Sequence, residues 1–253
     1  MKITFLGTGT SHGIPVIACG CEVCTSMDIK DKRSRSSIMV EIDNQTIVVD
    51  TGPDFRMQML RENVKKLDAV IYTHEHKDHT AGLDDIRAFN FFQEGAIDIY
   101  ATTRVQKNLH QCFDYIFAEH RYPGIPEIKV NTIENKPFNV GKTRITPIEV
   151  LHYKLPVLGF RFKDFVYITD ANAIPLAEKE KIKGAKILVL NALRISKHIS
   201  HFSLDEALDM ARELNIETTY FTHISHQLGR HEQVSRILPE GILLAYDGLK
   251  LEI

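Results

Sequence analysis

A cluster of potential metal ligands directly follows one of the apolar runs of this chain. After residues 69–72 the sequence contains the motif His74-x-His76-x-Asp78-His79 and then becomes helical. Side chains two residues apart on an extended strand point the same way, so His74 and His76 share one face. The turn that follows brings Asp78 and His79 in from the helix side. The motif therefore predicts two metal-binding pairs at a point where a strand passes into a helix.

Three further candidate ligands each come at the end of a later apolar run. They are His152, Asp170 and His223. Two metals about 3.5–4 Å apart need a bridging carboxylate and more ligands than one motif supplies, and open α/β sheets gather their sites at strand ends. Taken singly, each histidine could lie on the surface, and Asp170 could cap a helix that begins near Ile174. Together the three residues favour a dinuclear metal site.

The cysteines point to a second metal site. Cys19, Cys21 and Cys24 fall within six residues, whereas Cys112 lies far away in a predicted helix. This spacing is not a disulfide framework. Thiolates are ligands that zinc prefers, and a tetrahedral zinc needs a fourth ligand from elsewhere, for which histidine is the leading candidate. We interpret Cys112 as a small buried apolar residue.

Composition restricts the possible partners. The 253 residues carry 31 Lys and Arg against 33 Asp and Glu, and 43% are hydrophobic. The length and the apolar content suit one domain over residues 1–253. The absence of a basic excess does not favour nucleic-acid binding. No run is apolar enough to span a bilayer or to form a signal-peptide core, which predicts a cytoplasmic protein without a membrane partner.

Strand-like and helical segments mingle along the whole chain. Many short runs rich in Val and Ile predict strands, with hairpin turns at Asn44-Gln45 and Lys163-Asp164. Ser203 and Glu206 predict a capping box for one helix. Helical periodicity is clearest over residues 83–92, 105–117, 204–214 and 232–238. The pattern predicts a mixed α/β architecture with two sheets.

These motifs together resemble a known family. The His-x-His-x-Asp-His motif, the upstream Val48-Val49-Asp50-Thr51-Gly52 and the later His, Asp and His resemble the metallo-β-lactamase-fold hydrolases over nearly the whole chain. The segment Gly7-Thr8-Gly9-Thr10-Ser11-x-Gly13-x-Pro15, the three cysteines and Thr222-His223-Ile224-Ser225-His226 resemble the PhnP-like cyclic-phosphate phosphodiesterases. The resemblance implies a four-layer αββα sandwich with its site at one edge, between the two sheets.

The resemblance also implies a role for each candidate ligand. One catalytic ion would be bound by His74, His76 and His152, the second by Asp78, His79 and His223, and both by Asp170. His226 would complete a structural zinc site with the three cysteines. Asp50 would hold ligands in place through hydrogen bonds, or would simply be a turn carboxylate. Zn or Mn would suit the catalytic ligands, and Fe is a further candidate.

The implied reaction is hydrolysis of small phosphodiesters, with cyclic phosphates among the candidate substrates. A hydroxide between two divalent ions is a nucleophile at neutral pH, and the leaving group then needs a proton. In PhnP-like enzymes a histidine just before a helix is catalytic, which selects His201, with His198 as the second candidate. His12 has no assigned role. We expect pocket shape to depend on residues 87–93 and 121–126, and a homodimer is a candidate assembly.

Two alternatives remain. A transfer-RNA 3′-end nuclease of the same superfamily carries a long arm between the ligands equivalent to His152 and Asp170, which here are only 18 residues apart. A non-catalytic relative like PqqB, a pyrroloquinoline-quinone biosynthesis protein, shares the cysteine cluster, although the full set of seven ligands argues against a lost active site. Hydrolysis of β-lactams or thioesters is also possible on this scaffold.

Overall fold

Two seven-stranded sheets pack face to face in the computed structural model, which describes residues 1–118 and 122–253. The segment 121–126, expected to shape the pocket, therefore begins outside the described residues. The first sheet contains β1 (Lys2–Gly7), β2 (Ser37–Ile42), β3 (Gln45–Val49), β4 (Ala69–Ile71), β5 (Ile97–Ala101), β6 (Ile128–Thr132) and β14 (Lys250–Glu252). Its order is β14-β1-β2-β3-β4-β5-β6, antiparallel up to β3 and parallel from β3 to β6.

The second sheet has the order β13-β12-β11-β10-β9-β8-β7. Its strands are β7 (Phe138–Val140), β8 (Thr143–His152), β9 (Leu155–Phe162), β10 (Phe165–Tyr167), β11 (Ile187–Asn191), β12 (Thr218–Thr222) and β13 (Ile242–Leu244). Pairing is antiparallel from β7 to β10 and parallel from β10 to β13. As a result β8, β10, β11 and β12 run in the same direction and end at one edge of the sheet.

Helices cover the outer faces of both sheets. They are α1 (Phe55–Arg61), α2 (Lys77–Thr80), α3 (Arg87–Gln93), α4 (Thr103–Cys112), α5 (Asp114–Phe117), α6 (Leu176–Ile182), α7 (Leu204–Leu214) and α8 (His231–Ser235), with 3₁₀ turns at Ile29–Asp31 and Leu83–Ile86. None of the helices in the described ranges is long and apolar enough to cross a bilayer.

Three apolar layers account for the sandwich. The central layer contains side chains of both sheets, such as Phe5 and Phe160, and lies between them. A second layer joins the first sheet to α1, α3 and α4, and a third joins the second sheet to α6, α7 and α8. Burial of about 25 cal/mol for each Å² of apolar surface drives this stacking. The four-layer αββα sandwich is therefore confirmed.

Several elements differ from their predicted limits. The capping box of Ser203 and Glu206 is confirmed at the start of α7. The predicted turn Asn44-Gln45 was wrong by one residue, because Asp43 and Asn44 take the left-handed conformation and Gln45 already pairs in β3. The short strands β6, β7 and β14 and the helices α1 and α2 were not predicted, since each offers few residues for a periodic pattern. The helix expected near Ile174 begins at Leu176 as α6.

Candidate metal centres

The strand ends of both sheets place the predicted ligands at one edge of the sandwich. Asp50 directly follows β3, His152 ends β8 and His223 directly follows β12. Asp50, Asp170 and His223 all have left-handed backbone conformations, with φ of 67°, 57° and 54°. Such conformations cost about 1 kcal/mol or more for a residue with a side chain and are concentrated at functional sites. The backbone thus turns these side chains back into the space between the sheets.

Two of the motif histidines present converging nitrogens. His74 is fully buried, and its Nε2 lies 3.0 Å from Nδ1 of His76. The Thr73 hydroxyl donates to Asp50 at 2.8 Å, so it accepts from Nδ1–H of His74 at 2.9 Å. This hydrogen bond leaves the Nε2 lone pair of His74 facing His76 and the rest of the cluster.

Asp50 supports the cluster from behind. Its carboxylate accepts from the backbone N–H of Thr73 at 2.8 Å and from Nδ1–H of His79 at 2.7 Å. A carboxylate that orients a histidine in this way fixes its tautomer and raises its basicity as a ligand. Nε2 of His79 consequently faces Asp78, 3.3 Å away, and Asp170, 3.2 Å away.

Asp170 is the central carboxylate. One of its oxygens lies 3.2 Å from Nε2 of His79 and the other lies 3.1 Å from Nε2 of His223. The hydroxyl of Thr169 donates to the first oxygen at 2.7 Å and steadies it. Asp78 reaches the same pair of histidines, at 3.3 Å from His79 and 4.0 Å from His223.

The remaining histidines approach from the second sheet. His152 donates from Nδ1 to the carbonyl oxygen of Ser200 at 2.8 Å, which directs its Nε2 inward. His201 is buried, with its ring centroid 4.5 Å from that of His152 and its Nδ1 3.9 Å from Asp170. His198 lies behind His201 at 5.1 Å between ring centroids. The structure therefore brings His201 into the cluster and leaves His198 outside it.

The hydrogen bonding of the histidine nitrogens shows whether this arrangement suits metal ions. Nδ1 of His223 and Nδ1 of His201 are buried and make no hydrogen bond within the described ranges, and Nε2 of His79 and of His223 approach carboxylate oxygens without hydrogen-bond geometry. Buried polar atoms in proteins nearly always have a partner. Imidazole and carboxylate donors that converge without partners are what divalent transition metals require. The donor set therefore fits metal ions.

The pKa values of the clustered side chains show that this site favours positive charge. Burial opposes a charge on His223, yet Asp170 and Asp78 raise its pKa to about 9, and the same carboxylates raise that of His79 well above its usual range. Burial also opposes ionisation of Asp170, but the two cationic histidines hold its pKa well below normal. Because metals bind deprotonated histidines, metal binding here would release protons. Burial and His223 lower the pKa of His201 to about 3.

The cysteine cluster forms a separate group of four donors. The Sγ atoms of Cys19, Cys21 and Cys24 lie 3.3, 3.3 and 3.5 Å from Nδ1 of His226. Zn–S bonds of about 2.3 Å and Zn–N bonds of about 2.0–2.1 Å around a tetrahedral ion give S···N separations of about 3.5 Å. The four side chains fit a structural zinc, and His226 takes the place predicted for the fourth ligand.

Several supporting contacts were not predicted from the sequence. They involve Thr73, Thr169 and the Ser200 carbonyl, described above. The threonines directly precede His74 and Asp170, a position that could have drawn attention to them. The Ser200 carbonyl gives no sequence signal, because every residue has one. The interpretation of Cys112 as a buried apolar residue was wrong, because it lies half-buried at the end of a short helix and Nζ of Lys77 donates to its Sγ.

Comparison with known proteins identifies the family. The model of the beta-lactamase superfamily domain matches residues 45–224. The chain belongs to this superfamily. A crystal structure described as a new diphosphatase from the PhnP family is 42% identical, has a TM-score of 0.93 and covers 100% of this chain and 97% of that one. The superfamily member described here is therefore a metallo-β-lactamase-fold hydrolase close to PhnP.

Two other relatives add detail. The octanoyltransferase of Porphyromonas gingivalis is 36% identical over 99% of this chain and 51% of its own length. The chain described here thus spans about half the length of that protein. Zn²⁺-bound PqqB from Methylobacterium extorquens is 18% identical with a TM-score of 0.82, and each chain is fully covered, which shows a shared fold.

Proposed function

We propose that this protein hydrolyses small phosphodiesters, including cyclic phosphates, with two divalent metal ions. The observation that carries the proposal is the central position of Asp170. Its carboxylate oxygens lie 3.2 and 3.1 Å from His79 and His223. They also lie within 4.8 Å of ring nitrogens of His74 and His152. A carboxylate placed in this way suits a bridge between two ions. The similarity to a PhnP-family diphosphatase supports phosphorus chemistry.

The proposal divides the cluster into two ligand sets. One ion would be held by His74, His76 and His152, the second by Asp78, His79 and His223, and both by Asp170. When bound, two divalent ions supply a nucleophile at neutral pH and offset negative charge on the phosphoryl oxygens. Asp50 and Thr73 keep the ligands oriented and thereby maintain the geometry of both sets.

His201 is the proposed donor of a proton to the leaving group. Its buried ring lies against His152 and His223, with ring centroids 4.5 and 4.8 Å away. This position places an imidazole beside any phosphate that metal ions would hold at this cluster. A proton on His201 would be favoured by the negative charge of that phosphate, since an adjacent opposite charge raises a histidine pKa.

A second candidate is hydrolysis of a diphosphate bond. The observation in its favour is the 42% identity to a protein described as a diphosphatase. The same ligands could serve either reaction, because both transfer a phosphoryl group to water.

The nuclease alternative has less support. Between His152 and Asp170 the chain forms only β9 and β10, which are part of the second sheet, so no substrate-gripping arm emerges there. The formal charge of −2 also offers no general attraction to RNA.

A substrate panel tests the proposal. Metal-loaded protein is assayed with 2′,3′-cyclic AMP, bis(4-nitrophenyl) phosphate, inorganic diphosphate and ADP, and Asp170→Asn serves as the inactive control. Phosphodiester turnover that Asp170→Asn abolishes supports the proposal. Turnover of the diphosphates alone favours the second candidate, and no turnover of any compound contradicts both.

A further inference from the structure

A cationic cavity lies at the same edge of the sandwich as the candidate metal centres but contains none of their ligands. Its volume is about 510 Å³, within the range of small-molecule sites. It is lined by His12, Gly13, Ile14, Pro15, Ile29, Lys32, Arg33, Ser34, Arg35, Asp54, Arg61, Tyr246 and Asp247. Four permanent cations thus face two carboxylates, although the whole chain is slightly acidic.

Arg33 is the unusual member of this lining. Its side chain is buried, with 3% of the residue surface exposed, and burial lowers its pKa to about 10. Its Nη1 donates to the Thr8 hydroxyl and to the Ala245 carbonyl, and its Nη2 lies 3.1 Å from Nδ1 of His231. None of these partners carries a negative charge, and within the described ranges Arg33 forms no salt bridge. Asp247 and Asp31 act on this guanidinium only from beyond salt-bridge distance, where they partly offset the effect of burial on its pKa. Buried charges are normally paired at closer range.

The two carboxylates of the cavity are already engaged. Asp247 accepts from the backbone N–H and hydroxyl of Thr8 through one oxygen, and from Ser34 and Arg61 through the other. Asp54 accepts from Arg35 through both of its oxygens, at 3.0 and 3.2 Å. These acids position the cationic side chains and have little capacity left for Arg33.

Donors nevertheless remain available in the cavity. Arg35 is held by Asp54 and by the Ser11 carbonyl through Nη1 and Nε, and within the described part of the chain its Nη2 makes no hydrogen bond. Lys32 donates one of its three N–H groups to the Cys24 carbonyl at 3.1 Å, so two remain available. Pre-positioned guanidinium and ammonium groups of this kind bind phosphate through charge-assisted hydrogen bonds.

We propose that this cavity is a second binding site for a small phosphorylated organic molecule, whose phosphate is held by Lys32, Arg33 and Arg35. The cavity volume greatly exceeds the need of a bare phosphate ion. Ile14, Pro15, Ile29 and the ring of Tyr246 supply apolar surface for the organic part. The site is independent of the proposed hydrolysis, since no candidate metal ligand lines it.

Titration calorimetry tests the proposal on metal-loaded full-length protein. Glucose 6-phosphate is the probe, with inorganic phosphate as the second ligand. We expect glucose 6-phosphate to bind the more tightly of the two. Lys32→Gln should weaken its binding about tenfold or more, as expected for the loss of a hydrogen bond to a charged group. Lys136→Gln, which removes an exposed cation outside the cavity lining, should change affinity less than about twofold because of solvent screening.

A second pair of variants changes exposed residues, which should not affect folding. Ile29 lines the cavity and is 80% exposed, whereas Ile17 is 94% exposed and outside the lining. Ile29→Glu replaces apolar surface proposed for the organic part with a carboxylate and should weaken binding of the anionic probe, and Ile17→Glu should not.

Asp170→Asn separates this cavity from the metal centre. It should leave glucose 6-phosphate binding unchanged. The proposal is overturned if Asp170→Asn abolishes binding, if the cavity and control variants behave alike, or if the parent binds neither probe. Equal affinity for the two probes would overturn the assignment of an organic ligand.

Discussion

The two candidate metal centres are assembled in different ways. The His/Asp cluster takes its seven candidate ligands from the ends of four strands in both sheets, β4, β8, β10 and β12, so they meet only when the whole sandwich has formed. The cysteine cluster takes three ligands from one loop, Cys19 to Cys24, and a single distant one, His226. The His/Asp cluster orients its side chains around a candidate active site, whereas the cysteine cluster links a loop to the turn after β12.

The hydrogen bonds around the two centres also differ. Asp50, Thr73 and the Ser200 carbonyl orient histidines around Asp170, and inward-facing nitrogens remain without partners. Around the cysteines, the four donors face each other, and the Val16 N–H donates to Cys24 Sγ at 3.3 Å. The comparison teaches that changes at the first centre should affect turnover most, and changes at the second should affect stability most.

The largest effect on turnover is expected from Asp170→Asn. Loss of the shared carboxylate should remove more than about 5 kcal/mol of transition-state stabilisation, which lowers kcat/KM by at least about 10⁴-fold. Steady-state kinetics on a phosphodiester measures this loss, and Cys24→Ser is the matched change at the other centre. A smaller loss for Asp170→Asn than for folded Cys24→Ser would reverse the comparison.

His201→Ala should have an effect that depends on the leaving group. An alkoxide needs a proton to depart, so an alkyl phosphodiester should slow by up to about 10²–10⁴-fold. Bis(4-nitrophenyl) phosphate should slow far less, because nitrophenolate leaves without a proton, and metal content should stay at the parent value.

His198→Ala is the control for this measurement, since His198 lies behind His201. Equal losses on both substrates for His201→Ala would assign it to binding or charge stabilisation. A loss of metal would make it a ligand.

Asp50→Asn should act through His79 with an intermediate effect. The amide cannot accept every hydrogen bond that the carboxylate accepts from Thr73 and His79. Loss of such support typically costs about 10–100-fold in metal affinity or activity. Metal titration followed by kinetics at saturating metal would separate these two contributions. Unchanged metal affinity and kinetics would mean that Asp50 is only a turn residue.

Cys24→Ser and His226→Ala should have the smallest effects on turnover by folded protein and a clear effect on stability. Structural zinc sites contribute directly to folding, and each kcal/mol lost lowers the Tm of a chain of this size by about 2–4 °C. Differential scanning calorimetry should show a lower Tm for both variants. If both melt like the parent and lose all turnover, the cysteine cluster is part of the catalytic machinery.

Much of the first centre was accessible from the sequence because its ligands have distinctive side chains at strand ends. The family resemblance supplied what spacing could not, including His226 and the order of preference between His201 and His198. No sequence pattern indicated that Asp170 and His223 have left-handed backbones, since such conformations depend on the packing of the sheets around them. Short elements such as β7 and α2 also escaped prediction, because pairing and packing with distant segments stabilise them.

Metal content per chain tests the central claim most directly. We expect about three ions in the parent purified without chelator, two at the His/Asp cluster and one at the cysteines. Elemental analysis by mass spectrometry of Asp78→Asn should show lower occupancy of the first centre with about one zinc retained, and Cys24→Ser should lose that zinc alone. At most one ion per chain in the parent would contradict the account of two independent centres.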